Sequence, residues 1–369
     1  MIGGLLKLVF MLGTKSVRVW EWDNAGVSKP RLPNNPDWGC LANERPRLHF
    51  SGWELAHAIA KADFLNNTNP LLPGLAFLMQ SCVILDVHSS NLRVVDDISD
   101  VLNDFAFTSF NGRIAQGIAM LFANQRGYVF TGHLSSDPAV PKGVQAADFI
   151  FENAAKDRMI LESKGSFSQE TNNPTKVKTV LKAALKDQVE PWLAKISPPA
   201  AKGFVTYTCI RERSQMEDSA LIFVDPSGLP GDEPLELDPT WVRRRNYAGW
   251  LHVMGFSSAG SRLRQDERDV EDYILPVFRV GQYKVALAAA WDPHEAWHGF
   301  GIETSTLRRL ENLARGDVSQ VLEFTGLFEG LIDDRSRVER ELLGSLMPDG
   351  TYFGRVDDAD FLGFETFQL

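Results

Sequence analysis

Paired cysteines are missing from this chain. It has three, Cys40, Cys82 and Cys209, far apart and in no CxxC pair. That excludes a disulfide framework or a thiolate zinc cluster and fits a reducing, cytoplasmic setting. A surplus of basic residues is missing too: 38 Lys and Arg stand against 48 Asp and Glu, a net charge of −10. Such a chain does not coat nucleic acid by charge alone, although an acidic enzyme still accommodates a local basic groove. Long hydrophobic runs are also absent. The opening MIGGLLKLVFMLG is too short to span a bilayer, and it has neither the basic start nor the A-x-A end of a signal peptide. It reads as a buried strand or helix, and no membrane partner is expected. There is no internal repeat and no Walker A motif, which excludes a built-in phosphate-loop motor.

What is present is the composition of a folded globular protein: 369 residues, 44% hydrophobic and 23% charged, enough for two or three domains. SVRVWEWD alternates as a strand, and residues 24–50, rich in Pro, Asn and Arg, read as loop. GWELAHAIAKADF (52–64) reads as a helix, NNTNPLLPG (66–74) as a break, residues 75–95 as extended segments and DDISDVLNDFAF as a short helix. From Asn111 the pattern sharpens. Ile114, Ile118, Leu121 and Phe122 recur at helical spacing, with Gly127 placed to end the helix. Three short strands follow, YVFTGHLS, then a run opened by Asp148, then one carrying Glu162 and Lys164. A long amphipathic helix is expected from about Pro174 and another strand at KGFVTYTCI. Helix, three strands, helix and strand predict a mixed central sheet flanked by helices. Residues 211–238 read as connection, TWVRRRNYAGWLHVMGF as a helix, VFRVGQYKVALAAAWD as a hairpin, and the last third as mainly helical. The expected division is an N-terminal α/β region (1–107), a core (108–212) and a C-terminal mainly helical region (213–369).

The chemistry concentrates in the core. Residues two apart on a strand share a face, so pairing the two strands brings Asp148, Glu162 and Lys164 to one sheet edge. Two carboxylates are hard ligands for Mg²⁺ or Mn²⁺, and an adjacent lysine is placed to stabilise charge on a phosphate. The bland alternative is a solvated cross-strand ion pair.

This stretch resembles the PD-(D/E)xK nuclease superfamily, the restriction-endonuclease-like fold. The resemblance covers roughly residues 108–212 and rests on Asp148 followed by Glu162-Ser163-Lys164 in the right order of elements. It implies a metal-dependent endonuclease of a restriction, phage-defence or repair system. Asp148, Glu162 and the Ser163 carbonyl would hold the metal, and Lys164 would serve the chemistry. Ala147 replaces the family's proline, and Gln116 stands where the first helix often carries an acid. Gln188 and Trp192 approximate the family's QxxxY. Gln116 and Gln188 therefore join the catalytic candidates. The implied partners are DNA and a second copy or another subunit of a defence or repair complex. A non-catalytic nucleic-acid-binding subunit with the same fold is the alternative, favoured by Gln116.

Two other features compete for attention. Lys176 and Lys178 stud the helix after the site, and Arg243, Arg244, Arg245, Arg262 and Arg264 form the densest basic cluster. With Asn246 and Tyr247 the arginines are candidates for a phosphate backbone; the alternative is a solvated helix face. His294, Glu295 and His298 match the zinc-hydrolase pattern HExxH, but Pro293 before and Gly299 after leave little room for the long helix it needs. His133, on the strand before the site, is a further candidate for the active edge.

Overall fold

The alternation in TKSVRVWEW produces the strand it predicts, and that strand turns out to sit inside one large sheet. The computed structural model describes residues 13–22, 42–63, 84–167, 174–193, 195–197, 202–226, 235–236, 239–265, 270–292, 296–315 and 344–369. The first sheet is built from β1 (Thr14–Trp22), β2 (Ala42–Ser51), β3 (Arg93–Val94), β4 (Val129–His133), β5 (Phe149–Glu152) and β6 (Arg158–Phe167). After the short strand β7 (Ile196–Ser197) it is completed by β8 (Lys202–Glu212) and β9 (Ala220–Val224). The spatial order is β2-β1-β9-β8-β6-β5-β4, with β3 added beside β8. β4, β5 and β6 form an antiparallel meander, and β6 runs parallel to β8. This is the expected mixed sheet flanked by helices.

Period-two alternation assigns the faces. Phe149, Phe151, Met159 and Leu161 pack with Ile114, Ile118 and Phe122 of a long helix. Ile150, Ile160 and Val205 pack on the opposite side with Val177, Leu181 and Val189. The helices are α1 (Gly52–Asp63), the single turn α2 (Ile98–Val101), α3 (Asp104–Gln125) and α4 (Pro174–Ala184). The last continues through a π turn (Leu185–Val189) into Glu190–Leu193. α3 starts seven residues before the expected Asn111, because the Asn103 side chain accepts from the Ala106 amide at 2.9 Å and caps it there. It ends, as expected, by Gly127, whose φ is 82°. Gly117 lets α1 approach closely: a Cβ there would lie 2.5 Å from an Ile59 side-chain carbon.

Several expectations need correction. Residues 42–51, expected as loop, are the edge strand β2. The proline that disguised it, Pro46, falls where the register with β1 shifts between Val17 and Val19, a site where a missing N–H does no harm. Of residues 75–95 only 84–95 are described, and they contribute little strand beyond β3. Residues 211–238, expected as connection, contain β9, an apolar strand inserted between β1 and β8. The sheet thus takes strands from all three expected regions, and both expected boundaries fall within one sheet.

The C-terminal region is not mainly helical among its described residues. β10 (Leu235–Glu236) pairs with β7. The strands β11 (Asp272–Val280), β12 (Tyr283–Asp292), β13 (Ala296–Glu303), β14 (Gly344–Leu346), β15 (Thr351–Asp357) and β16 (Phe361–Gln368) form a second sheet in the order β14-β15-β13-β12-β11-β16. The expected hairpin is β11–β12, closed by Gly281 and Gln282; Gly281 supplies the φ of 60° that a two-residue turn demands. Among the described residues three helices accompany this sheet, α5 (Pro239–Val253), α6 (Ser257–Gln265) and α7 (Thr304–Ala314). The helix expected within 316–343 lies outside the described residues, as do the opening run and the break at 66–74.

α1 joins the two sheets. Leu55, Ile59 and Ala62 enter the first core, and Trp53 and Ala56 enter the second, with Tyr247, Trp250 and Phe353. Between them lies a buried polar network. Lys61 pairs with Asp349, and the two side chains are 0% and 1% exposed. Asp349 also accepts from Thr351 at 2.7 Å and Asn246 at 3.2 Å, and its backbone carbonyl accepts from Tyr247 at 2.7 Å. Burial opposes the Asp349 charge, but Lys61, Thr351 and His57 outweigh it and hold the carboxyl below its usual range. His57, stacked on Trp250 at 4.7 Å, sits 3.0 Å from both the Ser345 and Thr351 hydroxyls. Burial, with Lys61 beside it, pushes its imidazole down to about 3.

Removing one member of such a pair strands the other charge. Asp349→Ala is expected to lower stability by about 3–5 kcal/mol in urea unfolding, and the double variant Lys61→Met, Asp349→Leu to recover most of that loss. Equal losses in the single and double variants would show that the pair does not act as a unit.

Candidate functional site

The meander places the candidate acids. In the β5–β6 register Phe149 faces Leu161, so the preceding Asp148 falls opposite Glu162. The two are laced through the backbone. The Asp148 amide donates to Glu162 Oε2 at 3.0 Å, and the Ser163 amide donates to Asp148 Oδ2 at 3.0 Å. Lys164, two residues on and on the same strand face, donates from Nζ to Glu162 Oε1 at 2.5 Å. Gln116 reaches across from α3 and hydrogen-bonds the Asp148 carboxylate. The structure therefore brings Asp148, Glu162, Ser163, Lys164 and Gln116 together.

Burial sets the electrostatics. Glu162 is 1% exposed on its side chain, whereas Lys164 is 34% exposed and forms the solvent-facing lip. Burial, then the charge of Asp148, raises the Glu162 carboxyl to about 7; Lys164 pulls the other way. Burial also raises Asp148, against the Ser163 amide, Lys164 and Gln116. Two adjacent carboxylates share one ammonium here, leaving an unbalanced negative charge when both ionise. Such a hard-oxygen pair is short of a cation and fits a divalent ion. Among the described residues no group of three or more His, Cys, Asp and Glu converges. Further ligands at this pair would have to come from neutral oxygens such as Gln116 or the Ser163 carbonyl. The Ser163 hydroxyl is buried without a hydrogen-bond partner.

The remaining candidates divide. Gln188 lies in the π turn of α4 and makes no hydrogen bond to Asp148, Glu162 or Lys164. Trp192, one turn on, has a structural task that the sequence did not announce: its Nε1 donates to the Gln145 carbonyl at 2.9 Å. That contact pins the segment leading into Asp148. Lys176 is exposed but Lys178 is buried, so the helix does not present both to a backbone.

The arginine triplet is split because consecutive helical residues point about 100° apart. Arg243 is buried in an ion pair with Glu152, which Arg158 also approaches at 3.6 Å. Arg243 is thus no surface contact for phosphate. Arg244 donates to the Leu263 carbonyl at 3.2 Å. Arg245 lies over the Trp241 ring at 5.1 Å. Tyr247 is wholly buried and Asn246 is engaged with Asp349, so neither offers a free phosphate contact.

The zinc pattern fails on its local structure. His298 lies in β13, a strand paired on both sides with β12 and β15, where HExxH requires a helix; His294 and Glu295 lie outside the described residues. His133 turns away from the acids. Its ring lies 5.2 Å from Phe149 and 5.6 Å from Phe130.

The Glu162 shift has a thermodynamic consequence. Its folded value, about 7, lies above the unfolded value near 4.5, so the folded state holds the extra proton between those limits and stability falls as pH rises through them. Wild type is expected to lose about 2–3 kcal/mol more than Glu162→Gln between pH 5 and pH 8 in urea unfolding. Parallel pH profiles for the two proteins would refute the shift.

No protein-family model matches the chain, and no curated protein and no solved structure gives a match to it.

Proposed function

We propose that the chain is a metal-dependent nuclease, acting on DNA in a restriction, phage-defence or repair setting. The observation that carries this reading is the interlocked pair of Asp148 and Glu162 with Lys164 at its solvent lip. A plain surface ion pair has no reason to bury one carboxylate against another. Further support comes from the order of α3, β4–β5–β6, α4 and β8, which is the order that the resemblance to the PD-(D/E)xK superfamily implies. Gln116 on Asp148 adds to it, since a first-helix side chain at the acids belongs to the same arrangement.

In this reading Asp148 and Glu162 would hold Mg²⁺ or Mn²⁺, with the Ser163 carbonyl as a further oxygen. When bound, the ion would supply a water of lowered pKa and stabilise charge on the phosphate. Glu162, half-protonated near neutrality, would have to be ionised to serve as a ligand. Lys164 exchanges Glu162 for the attacking water or a non-bridging phosphate oxygen, orients it and offsets the charge that builds as the P–O bond breaks. Gln116 keeps Asp148 aimed by hydrogen bonding to its carboxylate. One such site serves one strand, so double-strand cutting would take a homodimer or a partner subunit.

The alternative, a nucleic-acid-binding subunit without catalysis, draws support from Gln116 in an acid's place and from the Lys164–Glu162 ion pair. The zinc-hydrolase reading is set aside on the strand at His298.

A cleavage assay on plasmid and single-stranded DNA with Mg²⁺ or Mn²⁺ tests the proposal. Glu162→Ala and Lys164→Ala are each expected to lose at least about a hundredfold in rate. DNA binding by a wild type that cuts with neither metal would select the binding subunit. Cleavage that survives both substitutions would place the chemistry elsewhere.

A further inference from the structure

One strand away from the acids, at the β4 edge of the first sheet, lies a small, partly open pocket of mixed polar and apolar lining. Lys61 of α1, His133 at the end of β4, Ser136, and Arg245, Asn246 and Trp250 of α5 contribute to its walls. Two of these side chains bring buried nitrogens without partners to one cavity, His133 Nε2 and Arg245 Nε. A buried polar atom left unpaired is costly. Arg245 has no carboxylate partner among the described residues; its guanidinium lies over the face of Trp241.

The charges around the pocket do not balance. Lys61 is neutralised by Asp349, but Arg245 is not neutralised, and Arg264 of α6 lies close enough for each to feel the other's charge. The His133 ring hydrogen-bonds to the Lys61 backbone and is held neutral, down to about 4, by burial. Its free nitrogen can accept from a P–OH group, or donate once an anion lets it protonate. Ser136 lies within the same walls.

We propose that this pocket binds a phosphoryl oxyanion, with Arg245 as its charge partner and His133 Nε2 as its second polar contact. The guanidinium fork matches such an oxyanion in geometry and charge. Two sources share this chemistry, a free phosphate or monoester and a phosphodiester of a nucleic-acid backbone. The walls of the pocket do not include Asp148, Glu162 or Lys164.

The probe is inorganic phosphate, followed by ³¹P NMR line broadening and by the thermal midpoint of the whole chain. Wild type is expected to broaden the phosphate signal and to gain thermal stability with phosphate concentration. Arg245→Gln is expected to weaken phosphate binding at least about tenfold, and Arg245→Lys less so because charge remains. His133→Gln, which keeps a polar group of similar reach, is expected to retain the midpoint without phosphate and to bind it more weakly. Displacement of phosphate by a short single-stranded oligonucleotide would assign the pocket to a backbone phosphodiester; phosphate retained beside bound oligonucleotide would assign it to the free ion or a monoester. An unbroadened wild-type signal, or equal binding by wild type and Arg245→Gln, would overturn the proposal. Loss of DNA cleavage in Glu162→Ala bears only on the acids, so the two readings fail separately.

Discussion

The buried ion pair of Lys61 and Asp349 is the constraint on which the arrangement of the two sheets depends. Neither charge touches water, so each is tolerable only while the other is in place. Lys61 comes from the helix that follows β2 of the first sheet, Asp349 from the turn before β15 of the second. Their pairing, with Thr351, Asn246, Tyr247 and His57 around it, fixes how α1 lies between two cores. Apolar packing alone would permit α1 to slide along either core; a satisfied polar network has one geometry. The same network fixes α5, and with it the position of Arg245 opposite β4.

The candidate acids follow a similar logic on a smaller scale. Glu162 is buried without a salt-bridge partner of equal burial, because Lys164 stands at the surface. Its charge is borne by one amide and one half-exposed ammonium, with another carboxylate next door. A carboxyl poised near neutrality is the result, and such a group has its protonation decided by what else enters the site. The structural cost of holding two acids together is met by backbone amides on adjacent strands, an arrangement that antiparallel pairing delivers without special residues.

The core meander was legible because its elements carry strong periods: Ile114, Ile118 and Leu121 for a helix, Phe149, Phe151 and Leu161 for strand faces. Asp148, Glu162 and Lys164 were legible because they lie close in sequence and on adjacent strands. Gln116 was legible only through the resemblance, since a helix residue over thirty positions away shows no local sign of where it points. β2 was hidden by Pro46, and β9 by the turn-rich residues after it. The C-terminal sheet was obscured because short apolar runs suit helix and strand alike. The HEAWH sequence misled in a different way: its spacing is helical, but His298 lies in a strand paired on both sides.

The sequence by itself determined the α/β class, the order of the central elements and the carboxylate–lysine constellation, all of which are set by local period and short-range spacing. The tertiary structure decided which charges are spent and which remain. Arg243 and Lys178 looked like phosphate contacts and are buried, Arg243 against Glu152. Lys61 and Asp349, almost three hundred residues apart, gave no local signal and became the joint between the sheets. Arg245 differs from its neighbours only by the turn of a helix, yet it alone of the triplet faces the pocket beside His133. Burial and long-range pairing fix the partner of each charge, and neither is written in the residues adjacent to it.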